Sequence, residues 1–348
     1  MGGGPAVKRF SFLIAAALVL SFLAGCSGAS GRGASMTREL FAMDTYMTMT
    51  CRGENAEQAL DAAEAEILRL DALLSTGSTD SEISRLNAEG GGACSEDTAA
   101  LLRAALDAYR ETDGAFDCTI LPLMELWGFP SGTLHVPTEA ELEHALTVTG
   151  SRHVSLSGSA VSMDPGTKID LGGIAKGFTS GRLMEIFRSF GVESAIVSLG
   201  GNVQCLGSRS DGAGWRCGIR APGDGASSDD IAGVVTVRDK AVITSGSYER
   251  RLTDEVTGRI YHHILDPSTG RPADTGLASV TIVSSDGTLA DALSTACFVM
   301  GEEKAEAFWR ERFDEFDMIL IRTDGSIRVT EGVADAFVTS RPCAVIPK

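Results

Sequence analysis

Only five histidines occur among 348 residues, aromatic residues make up 6% of the chain, and no two of its eight cysteines are spaced C-x-x-C. The missing cysteine pairs give no indication of a zinc ribbon or a thioredoxin-type dithiol. Neither G-x-G-x-x-G nor G-x-x-x-x-G-K-[ST] is present, so the usual nucleotide-binding loops do not apply. The apolar run from Phe10 to Leu23 is well short of the roughly 20 residues that span a bilayer. Positive charge is also scarce: 30 Lys and Arg face 47 Asp and Glu, for a net charge of -17. That balance excludes the basic face on which nucleic-acid binding depends, so no nucleic-acid partner is expected. A phosphate-rich ligand would need local cancellation of this charge, from a metal ion or from backbone N–H groups.

What is present begins with a leader. Lys8 and Arg9 precede the apolar run, which ends in Leu23-Ala24-Gly25-Cys26. A basic start, a short apolar core and small residues describe a secretory signal over residues 1–25. The ending resembles a bacterial lipobox, which makes Cys26 the lipidation site and residues 26–35 a flexible Ser/Gly/Ala tether. The seven other cysteines are an odd number, so at least one stays a thiol. They are expected to be small buried hydrophobes, with a Cys205–Cys217 disulfide across a hairpin as the alternative.

From residue 36 onward, strand and helix patterns mix without regular β-α-β alternation, which points to an α+β fold. No break in composition divides the chain, so residues 36–348 are read as one interlocked domain of mixed sheet and helices. Leu40 to Thr50 alternates as one strand. Leu60, Ala63, Ile67, Leu70 and Leu74 recur at helical spacing within Ala56–Leu74. Further helices are expected at Thr98–Thr112, Thr138–Leu146, Ile174–Phe190, Thr288–Met300 and Glu302–Arg312. A strand is expected to end at Asp170, and Met318–Arg322 is expected as the last strand.

Four stretches can carry chemistry. In "KIDLGGIAKGF" two glycines precede a helix whose free N–H groups attract anions, with Lys176 in the first turn; the plainer reading is a tight turn with an exposed lysine. In "ADALSTACFVMG" Asp291 and Thr295 lie one helical turn apart and offer the hard oxygen ligands that Mg²⁺ or Ca²⁺ takes. An acid in a first helical turn also simply complements the dipole. "YHHILDPSTGRP" places His262 and His263 on opposite faces of a strand, so at most one enters any given pocket. A histidine near its ordinary pKa suits the role of general base. Finally, Met43 and Tyr46, with Phe116, Asp117, Trp127 and Phe129, are either core residues or a sandwich for a flat ring.

Taken in order, "MDTYMTM", "DSEISRLN", "GAFDCTILPL", "KIDLGGIAKGF", "SAIVSLGGNV", "HHILDPSTGRP" and "ADALSTACFVMG" resemble the FAD:protein FMN transferase (ApbE) family across residues 40–301. The resemblance implies that FMN passes from FAD, through its phosphate, to a threonine or serine of a target flavoprotein while AMP leaves. Met43, Ala115, Phe116, Asp117, Asp170, Lys176 and Leu265 would contact FAD. The Gly173 carbonyl, Asp291 and Thr295 would hold Mg²⁺, with Ca²⁺ or Mn²⁺ as alternatives, and His263 would be the base. The acceptor would be a membrane redox pump subunit or an extracytoplasmic flavoprotein, met at the outer face of a bacterial membrane to which Cys26 anchors the chain. Many relatives carry an aromatic residue where Gly77 stands, a departure that bears on flavin or adenine stacking. Two other outcomes use the same residues: a metal-dependent FAD pyrophosphatase, and a lipid-anchored flavin-binding protein without catalysis.

Overall fold

The computed structural model describes residues 35–223 and 230–348. Cys26, the signal segment and most of the tether lie outside the described residues. Met47, Met49 and Cys51 alternate with more exposed neighbours, and this period of two buries one face of a strand against helices. The stretch read as one strand is two, β1 (Ser35–Ala42) and β2 (Thr45–Arg52), paired antiparallel with Ala42 opposite Thr45. Met43 (φ +48°) and Asp44 (φ +57°) form the intervening turn, both left-handed as a two-residue hairpin of this kind demands. The sequence hides this turn because neither residue is the Asn-Gly pair that usually announces it.

Seven more strands complete the sheet: β3 (Ser194–Leu199), β4 (Asn202–Gly207), β5 (Ala241–Gly246), β6 (Leu277–Ser284), β7 (Phe316–Arg322), β8 (Ile327–Thr330) and β9 (Cys343–Ile346). Their spatial order follows the chain from β1 to β9. Every pairing is antiparallel except the last, β8 with β9. The strand expected to be last is thus followed by two more in the same sheet. Helices α1 (Ala56–Leu74), α2 (Gly172–Ser189), α3 (Gly287–Met300) and α4 (Glu302–Glu311) cover one face, contributing Leu60, Phe187, Phe298 and Trp309 to the core. On the other face lies a small sheet of Trp215–Arg220, Ile231–Val237 and Phe337–Val338. Strand β6, pressed from both sides, has all eight residues buried, including Ser279, Thr281 and Ser284. The fold is α+β.

Cys205 and Cys217 lie on these two facing sheets, not across one hairpin, and both remain buried thiols with sulfurs 3.9 Å apart. Residues 164–171, expected to contain a strand ending at Asp170, are irregular instead. Asn87 pins them by bonding both the N–H and the carbonyl of Ile169, and the Asp170 N–H donates to the Cys118 carbonyl at 2.7 Å. Those bonds do the work a ladder would otherwise do. Among the described residues no helix is long and apolar enough to cross a membrane.

Candidate active site

Three features of the backbone create a cavity of about 720 Å³ at one end of the large sheet. The first is a pair of tight turns side by side. Met43-Asp44 joins β1 to β2, and Gly200-Gly201 (φ +63° and +94°) joins β3 to β4. Because Met47 pairs with Leu199, both turns fall at the same end. A Cβ on Gly200 would come within 2.3 Å of Thr45 Oγ1, so only glycine permits this approach.

The second is the meeting of α2 and α3. A Cβ on Gly177 would lie 2.1 Å from the Gly287 carbonyl oxygen and 2.6 Å from Asp291 Cβ. Their closeness lets the Gly177 N–H donate to Asp291 Oδ2 at 2.8 Å. In a regular helix that N–H would serve the carbonyl four residues back, Gly173. Gly173 must therefore share or forgo its donor, and Gly173 lines the cavity. The third is the α2 N-terminus itself, capped by Asp170 Oδ1, which accepts the Gly172 N–H at 2.8 Å.

The cavity gathers every residue singled out for flavin, metal or base: Met43, Ala115, Phe116, Asp117, Asp170, Gly173, Lys176, His263, Leu265, Asp291 and Thr295. Gly77 lines it too. The aromatic sandwich is corrected in part. Trp127 is core, its Nε1 donating to the Gly270 carbonyl at 2.7 Å, Tyr46 is 58% exposed on the outer face of the hairpin, and Phe129 is absent from the lining. Only Phe116 of those four aromatics lines the cavity, and Phe116 Cε2 lies 3.2 Å from where a Cβ on Gly173 would stand.

The two histidines separate as strand alternation requires. His262 Nε2 bonds the Ala273 carbonyl oxygen at 3.1 Å, and its ring meets Phe298 edge-on. His263 lines the cavity, with Phe129 edge-on to its ring at 6.5 Å between centroids. Burial above all, then the Arg250 and His262 charges, push the His263 pKa down to about 4. It is therefore a neutral imidazole at neutral pH with a lone pair free to accept a proton, though a weaker base than the histidine near its ordinary pKa expected from the sequence.

The carboxyl groups behave in the opposite sense. Burial raises the pKa of Asp291, opposed by Lys176 and by N–H donors that include Gly177. Asp170 is also raised by burial, against the Gly172 N–H, Arg250 and Lys176. Asp117, again raised by burial, is held through Oδ1 by the Thr119 N–H, the Thr119 hydroxyl and the Ser151 hydroxyl at 2.7–2.9 Å. Among the described residues no group of three or more His, Cys, Asp or Glu side chains is placed to hold a metal. A cation here would rest on one carboxylate, one hydroxyl and one carbonyl, all hard oxygen donors. Such a sparse set fits a divalent cation that fills its shell with water and phosphate oxygens.

Sequence reading missed Asn202, Ser245, Tyr248 and Arg250, which all line the same cavity. Asn202 stands beside the Asp291 carboxylate and works against the upward push of burial on its pKa. The segment "TSGSYER" holds three of the four, and its Ser245-Gly246 pair is legible only as a strand end. A second concavity, about 390 Å³ beside α1, is lined by Arg69, Glu82 and Arg85, which are engaged in ion pairs.

Residues 43–320 match the model of the ApbE family. The FAD:protein FMN transferase of Treponema pallidum is 36% identical over 337 residues, covering 89% of this chain and 92% of its own. The FAD:protein FMN transferase of Salmonella typhimurium is 30% identical over 335 residues, covering 91% and 95%. Among solved structures, the ApbE protein of Thermotoga maritima superposes with a TM-score of 0.81 at 34% identity, covering 87% of this chain and 99% of its own. The flavinyl transferase ApbE of Pseudomonas stutzeri gives 0.77 at 29%, covering 88% and 98%. The seven motifs, one cavity that collects their polar residues, and similarity over nearly the whole described length lead to one conclusion: the chain belongs to the ApbE family.

Proposed function

We propose that this chain transfers FMN from FAD to a threonine or serine hydroxyl of a target flavoprotein, releasing AMP. The observation that carries the reading is the gathering, in one 720 Å³ cavity, of His263, Gly173, the buried Asp291 carboxylate and the partly exposed Thr295 hydroxyl one helical turn from it. The volume lies within the range of sites that enclose small molecules and cofactors. Met43, Ala115–Asp117, Asp170, Lys176 and Leu265 contact FAD in this reading, with Lys176 and the α2 N-terminus toward its phosphates.

His263 accepts the proton of the acceptor hydroxyl. The hydroxyl oxygen forms a bond to the phosphorus on the FMN side, and the bond from that phosphorus to the bridging oxygen breaks. AMP departs carrying the bridging oxygen. Positioning and charge neutralisation supply most of the acceleration in such transfers. A divalent cation, Mg²⁺ in this proposal, would be held by Asp291, Thr295 and the Gly173 carbonyl and would neutralise charge on the pyrophosphate. The acidic balance of the chain makes that help necessary. We further place the enzyme on the extracytoplasmic face of a bacterial membrane, anchored through Cys26, where its acceptor is a redox pump subunit or an extracytoplasmic flavoprotein.

Intact-mass spectrometry tests the reaction. Residues 36–348 are mixed with FAD, Mg²⁺ and an acceptor domain bearing a candidate threonine. A gain equal to FMN less water, lost with EDTA, is the expected result. FMN and AMP accumulating in solution with no gain on the acceptor would replace transfer by hydrolysis. FAD bound but unchanged would leave only a flavin-binding protein.

A further inference from the structure

We propose that Ser245 is a positioning residue that fixes the direction of the Thr295 hydroxyl proton, and so keeps the lone pairs of Thr295 turned toward a metal ion. The inference rests on the metal-site reading above and adds a residue to it. Ser245, near the end of β5, lines the cavity. Its Oγ lies 2.8 Å from Ser294 Oγ and 3.0 Å from Thr295 Oγ1. Ser294 Oγ in turn donates to the Asp291 backbone carbonyl at 2.8 Å.

A hydroxyl has one proton to give, and a carbonyl oxygen has none. Counting from the carbonyl therefore orders the whole chain. Asp291 O only accepts, so the Ser294 proton is committed to it. The contact between Ser294 and Ser245 then uses the Ser245 proton, and the contact between Ser245 and Thr295 uses the Thr295 proton. Direction runs from Thr295 to Ser245 to Ser294 to Asp291. Among the described residues Ser245 is the only hydrogen-bond partner of Thr295 Oγ1. With its proton drawn toward the sheet, Thr295 keeps its lone pairs for the cavity, as a hydroxyl ligand to a cation requires. The relay ends on the backbone carbonyl of the residue whose carboxylate, held separately by the Gly177 N–H, would share that cation.

Burial matches this division of labour. Ser294 is fully buried between α3 and the sheet, whereas Thr295 is partly exposed to the cavity. Neighbouring residues of one helix thus serve the relay and the ligand. Outer partners of this kind are worth roughly ten- to a hundredfold in metal affinity.

The test is Mn²⁺ binding by the chain in the presence of ADP, followed by electron paramagnetic resonance of the free ion, with the melting temperature of the metal-free protein as a structural readout. Ser245→Ala is expected to weaken Mn²⁺ binding about tenfold or more, with the metal-free melting temperature near that of the wild type. Ser294→Ala is the sharper variant. It leaves Ser245 in place but removes the sink for its proton, so Ser245 is free to donate to Thr295 instead, and Mn²⁺ affinity falls again. Ser245→Thr, which keeps the hydroxyl, restores binding. Wild-type affinity in Ser245→Ala or Ser294→Ala, with binding lost in Asp291→Ala, would overturn the relay and leave the metal site standing. If Asp291→Ala binds Mn²⁺ as the wild type does, the metal-site reading itself fails. A loss in Ser245→Ala that Ser245→Thr does not reverse, accompanied by a lower melting temperature, would reduce Ser245 to a packing residue.

Discussion

Acidic side chains are treated in opposite ways in two regions of the molecule, beside the later strands β7 and β8 and in the cavity. On α4, Glu302 is held by Arg322 at 2.5 Å and Arg328 at 3.1 Å, and Glu306 by Arg328 at 2.7 Å and Arg310 at 3.2 Å. The Arg322 guanidinium draws the Glu302 pKa below its ordinary value. In the cavity, Asp291 is 4% exposed and, among the described residues, touches no cationic side chain closely enough to form an ion pair, and burial drives its pKa up. One cluster is complete and braces helix to strand. Under the proposed metal site, the other is completed by a bound cation. Stability and function therefore use the same residue type with opposite electrostatic signs, and the sign distinguishes the two uses.

The largest expected effect tests that contrast directly. Asp291→Asn should lower FMN transfer about a thousandfold or more, since metal stabilisation of a phosphoryl transition state is worth several kcal/mol. It should also raise the melting temperature of the metal-free protein by about 1–2 °C, as relief of roughly 1 kcal/mol would in a domain of this size. Glu302→Gln should do the reverse: transfer unchanged and a melting temperature lowered by a similar or smaller amount, because partly exposed pairs contribute little each. Differential scanning calorimetry beside a transfer assay reads both. Equal shifts of the same sign would dissolve the comparison.

Next comes the close approach that builds the cavity. Gly177→Ala forces a methyl against the Gly287 carbonyl and Asp291 Cβ, so α2 and α3 must separate. Overpacking of this kind costs about 1–3 kcal/mol, and it also draws the Gly177 N–H away from Asp291 Oδ2. Both stability and metal response should fall, measured by urea unfolding and by the Mg²⁺ dependence of transfer. Gly181, one turn further along α2 with nothing near its Cβ position, offers the comparison: Gly181→Ala should be neutral or stabilising by a few tenths of a kcal/mol up to about 1 kcal/mol.

The histidine pair sharpens the same distinction on a smaller scale. His263→Ala should lower kcat for transfer by about 10² to 10⁴, the usual worth of a positioned base, with KM for FAD little changed. His262→Ala, removing a contact with Phe298 and the Ala273 carbonyl, should act mainly on stability. In the metal-free protein, the His263 ring should titrate with a midpoint near 4 by ¹⁵N NMR. The sign follows from linkage. The folded state disfavours protonation, so whatever stability this group confers is present above the unfolded histidine pKa of about 6.5 and is lost as pH falls toward 4. A midpoint near 6.5 would mean the ring is solvated and the burial argument is wrong.

How much of this was visible in the sequence depended on whether the cause was local. The Asp291–Thr295 spacing and the opposed faces of His262 and His263 are consequences of helix and strand periods, and both could be read directly. The motif order carried the family and the identities of eleven cavity residues. What remained hidden came from contacts between distant segments. Trp127 looked like a ring-stacking residue until its indole N–H was found on the Gly270 carbonyl, 143 positions away. Ser245 looked like the end of a strand until α3 placed Ser294 and Thr295 beside it. Met43-Asp44 concealed a hairpin because the left-handed conformation there is imposed by sheet pairing on residues that do not favour it. The strand expected before Asp170 was replaced by side-chain bonds from Asn87, which no periodicity signals.

The smallest effect concerns Gly77. It lines the cavity, its φ is not in the left-handed region, and the nearest atom to a Cβ placed there is Ser75 Oγ at 3.7 Å. An aromatic side chain is therefore tolerated by the backbone and has open space in front of it. Stacking between flat rings adds about 0.5–1.5 kcal/mol beyond area burial, so Gly77→Tyr should lower the apparent Kd for FAD by about two- to tenfold. Fluorescence quenching of FAD under metal-free conditions measures this without turnover. A gain in affinity would show that the cavity has a ring-binding wall left unfilled in this chain. No gain would show that the flavin and adenine lie elsewhere along the lining, against Met43 and Phe116, and that the glycine is a neutral departure from the family pattern.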